Sequence, residues 1–313
     1  MNKTIENLQD ELFFLSLKKE TKQQNYISKL QEQHNQLTGQ TYKMSYNLKQ
    51  KQMQNVKEKQ QLIYALVSLA KQNNLIPLFL TWTIPSQYHP YIINHKTGKI
   101  IKNNPKFKYK TIDKAIKPSY ELLKKTFRDF YYQIKKIDKQ MLYIKVYEPH
   151  KTLIPHLHCL LFVNPTKLNH IKKVFHQTVK NNELKRVDFD ETLLVDNIHK
   201  PQAYIMKYLF KNTLAEDDYI ARWLDGWRRK YQIRMLETSR LPMSLEVYRS
   251  LYYSLDEQDK KEVDEIIADE TNNYENFFDY FMNNTDIDIQ IVDENDNLIS
   301  HKQINQGIVN KIV

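Results

Sequence analysis

Two apolar strand sequences, joined by a short segment between two prolines, constrain the fold of this chain more than any other feature. The first reads MLYIKVYE (141–148) and the second reads PHLHCLLFV (155–163). A turn centred on Thr152 pairs Pro149 with Pro155, and because neither proline has a backbone N–H, the ladder of hydrogen bonds ends there. The pattern therefore predicts an antiparallel hairpin with residues 149–155 as its loop.

The same register brings three possible metal ligands to one face of the hairpin. His156 and His158 are two residues apart on a strand and so point the same way. Glu148 lies directly opposite His156, with about 4.5–5.5 Å between their Cβ atoms. Two imidazoles and one carboxylate suit Mn²⁺ or Zn²⁺, and weakly bound Mg²⁺ still supports chemistry when a substrate phosphate completes its coordination. His150, one pair nearer the turn on this face, is the alternative third ligand.

A helix later in the chain carries candidate nucleophiles. In the segment YIMKYLFK, Tyr204, Lys207, Tyr208 and Lys211 recur at helical spacing and share one face. A tyrosine can attack a phosphate when a cation stabilises the developing charge, and a lysine one turn away favours the phenolate. The alternative is that the tyrosines form an aromatic stripe that packs in the core.

The remaining sequence predicts strands and helices that alternate around the hairpin. Pro118 is expected to interrupt the helix that contains it. The order β-α-β-β-α-β-α predicts an α+β fold, in which a central antiparallel sheet carries helices on one face. The predicted elements outside the hairpin are a strand at 75–85, helices at 111–138, 164–181 and 200–213 (with Pro201 in the first turn), and a strand within 184–198.

The two ends of the chain differ from its middle. Apolar residues recur at three-to-four spacing in residues 1–72, which predicts helix, with a break near Gly39 and Thr41. Residues 251–313 hold 4 Lys+Arg and 15 Asp+Glu, against 43 and 22 in residues 1–250. We therefore predict a helical N-terminal extension (1–72), a central domain (73–250), which the resemblance described below implies to be an endonuclease domain, and an acidic C-terminal extension (251–313).

The basic body of the chain indicates a polyanionic partner, because neutralised phosphates release counterions and so drive binding. Two segments mix basic and aromatic residues in the way that favours contact with backbone phosphates and bases, KNNPKFKYK (102–110) and RWLDGWRRKYQIR (222–234). In the second segment Trp223 and Trp227 are instead expected in the core. The candidate DNA-binding residues are Lys106, Lys108, Lys110, Arg222, Arg228, Arg229 and Lys230.

Composition excludes several other classes of protein. The 313 residues include only 4 glycines and no glycine-rich phosphate-binding motif, so a nucleotide cofactor is not expected. A lone cysteine, Cys159, cannot form an intrachain disulfide and fits a reducing compartment. No apolar run approaches the length of a membrane span and the charged N-terminus does not resemble a signal peptide. We expect a cytoplasmic protein.

The three segments FLTWTIPSQYHP, EPHKTLIPHLH and YIMKYLFK resemble, in this order, the three motifs of the HUH superfamily of rolling-circle replication endonucleases. The likeness is to the replication gene A proteins of tailed phages. It implies a sheet of about five antiparallel strands, related to the RRM fold, with the metal hairpin at its centre. It also implies metal ligation by His156, His158 and Glu148, and nucleophilic tyrosines at 204 and 208 with Lys207 and Lys211 beside them. The hairpin turn of the family often reads Asp-Gly, whereas here it reads KTLI.

The resemblance further implies site- and strand-specific DNA nicking and rejoining that initiates rolling-circle replication of a phage or plasmid. The reaction would use Mg²⁺ or Mn²⁺ and a 5′-phosphotyrosine intermediate, and no nucleotide cofactor. Expected partners are single-stranded origin DNA, a separate helicase and the host replication machinery, in the cytoplasm of a bacterial cell. The alternatives are a conjugative relaxase or transposase with the same chemistry, or a non-catalytic nucleic-acid-binding module with an RRM-like sheet.

Overall fold

The computed structural model describes residues 4–39, 46–94, 97, 99–184, 186–190, 201–213, 217–240, 257–258, 260–261, 286–292 and 298–305. The chain divides into two compact units, of which the first comprises 1–57 and 75–238 and the second 58–74 and 239–313. The domain boundaries at residues 72 and 250 stay a prediction. The helices are α1 (Ile5–Thr38), α2 (Leu48–Gln72), α3 (Ile112–Ile137), α4 (Leu168–Asn181), α5 (Pro201–Thr213) and α6 (Asp218–Tyr231). The strands are β1 (Ile76–Thr83), β2 (Tyr91–Ile93), β3 (Ile100–Asn103), β4 (Leu142–Pro149), β5 (Pro155–Val163), β6 (Arg186–Asp190), β7 (Leu236–Thr238), β8 (Asp286–Val292) and β9 (Leu298–Asn305).

The first unit is built on a sheet of five antiparallel strands in the order β6-β1-β5-β4-β7. The β7 strand is only three residues long, so four longer strands form most of the sheet. The predicted α+β class with a central antiparallel sheet is confirmed, and the β4–β5 hairpin lies at its centre.

The register of this hairpin is the predicted one. Glu148 pairs with His156 and Pro149 with Pro155, and the ladder ends there. The loop closes through hydrogen bonds from the His150 amide to the Ile154 carbonyl (2.8 Å) and from the Leu153 amide to the His150 carbonyl (2.7 Å). The turn KTLI thus replaces an Asp-Gly turn by placing Leu153 in the left-handed region, with φ of 62°.

Helices α3 and α4 cover one face of the sheet. Trp82 of β1 points into this layer and its ring contacts those of Phe127, Phe130 and Phe175. The expectation that Pro118 interrupts its helix is wrong, because α3 continues through it from Ile112 to Ile137. Burial of ten α3 side chains compensates for the one backbone hydrogen bond that a proline within a helix removes.

Helix α5 packs against the opposite face of the sheet, where Phe79 contacts both of its predicted nucleophiles. The prediction of helices on one face is therefore wrong for this helix. The physical reason lies in β5, which is buried along almost its whole length and needs cover on both faces. Its nearly continuous apolar sequence gives no alternation from which one exposed face can be inferred.

Helix α1 is packed into the same core. It begins after Thr4, whose side chain accepts a hydrogen bond from the Asn7 amide, and ends as predicted near Gly39, which has the left-handed φ of 69°. Leu8 and Leu12 of α1 belong to the hydrophobic core, as does Trp227 of α6. At Gly226 the two helices approach so closely that a Cβ atom there would lie 2.0 Å from the Leu12 carbonyl oxygen.

The second unit contains the C-terminal half of α2 and the β8–β9 hairpin. Of the predicted acidic extension, the structure describes only that hairpin and residues 257–258 and 260–261. Among the described helices, none combines the length and the apolar composition that a membrane crossing requires.

Candidate metal and tyrosine site

His158 lies between a carboxylate and a hydroxyl on the α5-facing side of the sheet. Its Nε2 is 3.1 Å from Oε1 of Glu148, and its Nδ1 is 3.4 Å from Oγ1 of Thr81. Thr81 is the cross-strand partner of His158 on β1, while Glu148 lies diagonally across from it on β4. When Nε2 carries the proton, it donates to Glu148 and Nδ1 accepts a hydrogen bond from the Thr81 hydroxyl. In the other tautomer Nδ1 donates to Thr81, and the lone pair of Nε2 can then bind a cation that lies between it and the carboxylate.

His156 belongs to a row of imidazoles that extends from β5 into the loop. Its ring stacks on that of His150, with 4.8 Å between ring centroids and 8° between ring planes. The edge of His89 contacts His150 at 5.5 Å, and its Nδ1 lies 2.9 Å from Oγ1 of Thr152, a fully buried side chain. His156 and His158 have their ring centroids 6.3 Å apart.

The tyrosine helix meets this row at His158. The Tyr208 ring stacks on the His158 ring at 3.8 Å, with 19° between their planes. Tyr204, one turn earlier, is 41% exposed. The rings of both tyrosines contact Phe79 of β1. Burial raises the pKa of Tyr208 above its ordinary value, and the nearby Glu148 and Tyr204 raise it further. Two phenols, two imidazoles and a carboxylate thus meet on one face of the sheet.

The two lysines of α5 differ in what the structure describes of them. Lys207 is exposed, and the side chain of Lys211 lies outside the described residues. The roles assigned to both lysines, and to the two tyrosines, stay predictions.

The candidate DNA-binding residues fall into two groups. Lys106, Lys108 and Lys110 are exposed, with Phe107 and Tyr109 between them turned toward the core. The basic residues of α6 instead form ion pairs that hold α1 and α3 against α6 or stabilise α6 itself. In these pairs Arg222 binds Glu20 and Asp218, Arg228 and Arg229 bind Asp225, and Lys230 binds Glu11 and Asp113.

The donor chemistry of the site fits a divalent cation. Two ligands in adjacent positions around an ion, at bond lengths near 2.1 Å, lie about 3 Å apart. The 3.1 Å between Nε2 of His158 and Oε1 of Glu148 matches this separation, and Thr81 supplies the hydrogen bond that typically orients a ligating histidine. Within the described residues, however, no three His, Cys, Asp or Glu side chains are already arranged as a complete site. The predicted metal and its full ligand set stay predictions.

Comparison with known proteins identifies the family. The model of the bacteriophage replication gene A protein family matches residues 14–215, which is well over half of the chain. The chain belongs to this family.

A curated gene A family member, the replication gene A protein of Escherichia phage P2, is 25% identical over 201 residues. That match covers 56% of this chain and 25% of the phage P2 protein, so the chain spans about a quarter of the length of this relative. No solved structure matches the chain.

The matched region includes the β1, β4 and β5 strands and helix α5, so it contains every residue of the site described above. Three residues of this site, Thr81, His89 and Thr152, were not predicted from the sequence. His89 stands six residues beyond β1 in a segment that the resemblance already included, which was a usable signal. Thr81 and Thr152 become visible only through strand register and loop closure.

Proposed function

We propose that this chain carries the nicking and rejoining centre of a phage replication initiator, a metal-dependent DNA endonuclease with a tyrosine nucleophile and an HUH-type site. The observation that carries the proposal is the stacking of Tyr208 on His158 at 3.8 Å, while Nε2 of the same imidazole lies 3.1 Å from Glu148. A phenol and the two side chains proposed as metal ligands, from elements about 50 residues apart in sequence, therefore share one face of the sheet.

His158, Glu148 and His156 hold the cation in this proposal, and His150 is the alternative third ligand. A divalent ion, when bound, polarises the scissile phosphate and offsets its negative charge. Thr81 fixes the orientation of His158 by accepting a hydrogen bond from Nδ1.

The phenolic oxygen of Tyr204 or Tyr208 attacks the phosphorus, and its proton leaves to solvent or to a neighbouring base. The bond from phosphorus to the 3′ oxygen breaks, which leaves a 5′-phosphotyrosine ester and a free 3′-OH that primes synthesis. Because the ester conserves the bond energy, rejoining needs no nucleotide cofactor. The second tyrosine can attack the regenerated site, since both phenols extend from one helix and contact the same phenylalanine.

The partner in this proposal is single-stranded origin DNA, and the exposed Lys106, Lys108 and Lys110 are the basic residues that favour it. No glycine-rich nucleotide-binding motif occurs in the sequence, so unwinding falls to a separate helicase of the replication machinery in the bacterial cytoplasm. Membership of the gene A family favours phage replication over conjugation or transposition, which use the same chemistry.

The decisive experiment detects the covalent intermediate. The protein is incubated with Mn²⁺ and labelled single-stranded oligonucleotides that tile the phage origin, and adducts are resolved on a denaturing gel. We expect an adduct with the unmodified protein, its loss on chelation with EDTA, and its loss in the double variant Tyr204→Phe/Tyr208→Phe. Tyr132→Phe, which changes an exposed tyrosine of α3, is the control and retains the adduct. Absence of any adduct across the tiled origin would leave a non-catalytic nucleic-acid-binding module as the function.

A second experiment separates metal ligation from DNA binding. We expect His156→Ala to abolish cleavage and to leave salt-dependent DNA binding, measured by fluorescence anisotropy, nearly unchanged. His170→Ala removes an exposed imidazole of α4 and controls for the general effect of losing a histidine. Equal loss of cleavage and binding in His156→Ala would mean that the imidazole is structural.

A further inference from the structure

The β2–β3 hairpin exposes several apolar side chains to solvent. Ile92, Ile100 and Ile101 are 37%, 51% and 60% exposed, although the two strands together have only seven residues. A bulge after Ile92 interrupts the pairing, so that Ile92 faces Lys102 and Ile93 faces Ile100. Three isoleucines this exposed on so small an element indicate that the hairpin contacts a partner.

The charge around this hairpin identifies the kind of partner. Residues 86–112 contain no Asp or Glu and six lysines, which are Lys96, Lys99, Lys102, Lys106, Lys108 and Lys110. Within the part of the chain that the structure describes, Lys99 and Lys102 are exposed and form no ion pair. Helix α6 differs sharply, because its basic residues are bound to carboxylates. A segment that carries lysines, no carboxylate and exposed isoleucines is complementary to a polyanion that also presents apolar surface, which is nucleic acid with accessible base faces.

The base of the hairpin is fixed to the candidate site. The buried Asn104 side chain donates hydrogen bonds to the carbonyls of Ser86 (2.6 Å) and His89 (2.8 Å), and its backbone N–H donates to Pro90 (2.8 Å). The His89 imidazole in turn contacts His150 and Thr152 in the β4–β5 loop. The hairpin is thereby attached to the loop that adjoins the predicted metal ligands.

We propose that the β2–β3 hairpin is a DNA-opening element, whose isoleucines enter between bases next to the scissile phosphate while Lys99 and Lys102 neutralise the flanking phosphates. Apolar side chains that enter a base step unstack it partially, and this supplies the accessible strand on which the site acts. This inference rests on the proposed function in one respect, which is that the partner is DNA. Binding and base unstacking can both be measured without cleavage, so the inference is tested separately from the nicking reaction.

The test uses the full chain carrying Tyr204→Phe and Tyr208→Phe, so that no covalent step intervenes. The probe is a forked oligonucleotide, a duplex with a single-stranded oligo(dT) arm and 2-aminopurine at the junction, whose fluorescence rises when the base unstacks. The triple variant Ile92→Thr/Ile100→Thr/Ile101→Thr keeps β-branched residues on the strands. Ile220→Thr, at a similarly exposed isoleucine of α6, is the matched control.

We expect the parent protein and Ile220→Thr to raise the fluorescence, and the triple variant to lose most of that rise. The triple variant should bind the fork about 10-fold more weakly while its affinity for the fully paired duplex changes by less than about 2-fold. Lys99→Gln/Lys102→Gln should reduce the slope of log K against log[salt] by about 1.4–1.8, since each phosphate contact contributes about 0.7–0.9. Lys173→Gln, an exposed lysine of α4, should leave the slope unchanged.

An unchanged fluorescence rise in the triple variant, or an unchanged salt slope in the lysine variant, overturns the proposal. The proposal is also overturned if the triple variant keeps the fluorescence rise on the fork but changes its oligomeric state, measured by light scattering. That result would mean that the isoleucines contact a second copy of the chain. If no covalent adduct forms on origin DNA but the isoleucine effects persist, the proposed endonuclease fails and the DNA-opening element stands. If the adduct forms and the fork signal does not depend on the isoleucines, only this inference fails.

Discussion

Replacing Gly226 by alanine tests whether α1 is an integral part of the folded unit. Considered as a helix substitution alone, glycine to alanine stabilises a helix by about 0.8–1.0 kcal/mol. The structure predicts the opposite sign, because the added Cβ would lie 2.0 Å from the carbonyl oxygen of Leu12 and 2.6 Å from its carbonyl carbon. These are backbone atoms, so no side-chain rotation relieves the overlap.

The magnitude follows from how far α1 has to move. Close contacts between carbon and a carbonyl oxygen are normally about 3.3–3.6 Å, so the two helices must separate by more than about 1 Å. A gap of 0.5–1 Å forfeits about a quarter to a half of the dispersion attraction across it, and Leu8 and Leu12 are fully buried at this contact. Overpacked cores lose about 1–3 kcal/mol, which for a unit of this size lowers Tm by about 2–12 °C.

The assay is thermal unfolding monitored by circular dichroism, with the free energy of unfolding taken from urea titrations. Ile220→Ala, at an exposed position of the same helix, is the control and should change stability by no more than about 0.5 kcal/mol. A Tm for Gly226→Ala equal to or above that of the parent would refute the close crossing of α1 and α6, since only helix propensity would then remain.

Two further substitutions test the polar contacts. Thr81→Val removes the hydroxyl beside Nδ1 of His158 and should weaken Mn²⁺ binding, measured by calorimetry, about 10–100-fold. Thr83→Val, on the same face of the strand, is the control and should leave Mn²⁺ binding unchanged. Equal effects of the two substitutions would contradict the orienting role of Thr81. Burial alone would raise the pKa of Asp225, but hydrogen bonds from two arginines of its helix hold it below its usual value. Because the pKa of Asp225 is lower in the folded state, its ionised carboxylate stabilises the fold at pH values above the unfolded-state pKa of about 3.9. This stabilisation is lost as the pH falls through the folded-state pKa. In urea titrations, the difference in free energy of unfolding between the parent and Asp225→Asn should therefore be largest above about pH 5 and shrink below about pH 4. A difference that does not vary with pH would contradict the depressed pKa of Asp225.

Local chemistry fixed several parts of this fold before any tertiary contact was known. The register of the β4–β5 hairpin follows from two prolines without a backbone N–H, and it is found as predicted. The end of α1 at Gly39 follows from the freedom of glycine at positive φ. Proline tolerates the first turn of a helix, and α5 begins at Pro201.

The placement of the basic residues of α6 could not be inferred in this way. From the sequence, Arg222, Arg228 and Arg229 are indistinguishable from a phosphate-binding surface. In the structure Arg222 binds Glu20, about 200 residues earlier, and the other two bind Asp225, which also accepts a hydrogen bond from Ser16. Contacts across such separations depend on which helices meet, and no local pattern encodes that.

The sequence alone therefore determined the hairpin, the face that carries Glu148, His156 and His158, and the helix that carries Tyr204 and Tyr208, because each depends on periodicity and on prolines within a short span. Only the tertiary structure decided that α5 packs on the face that carries these histidines, so that Tyr208 stacks on His158. The nearly all-apolar β5 strand requires cover on both faces, and which helix supplies it depends on packing among segments far apart in the chain.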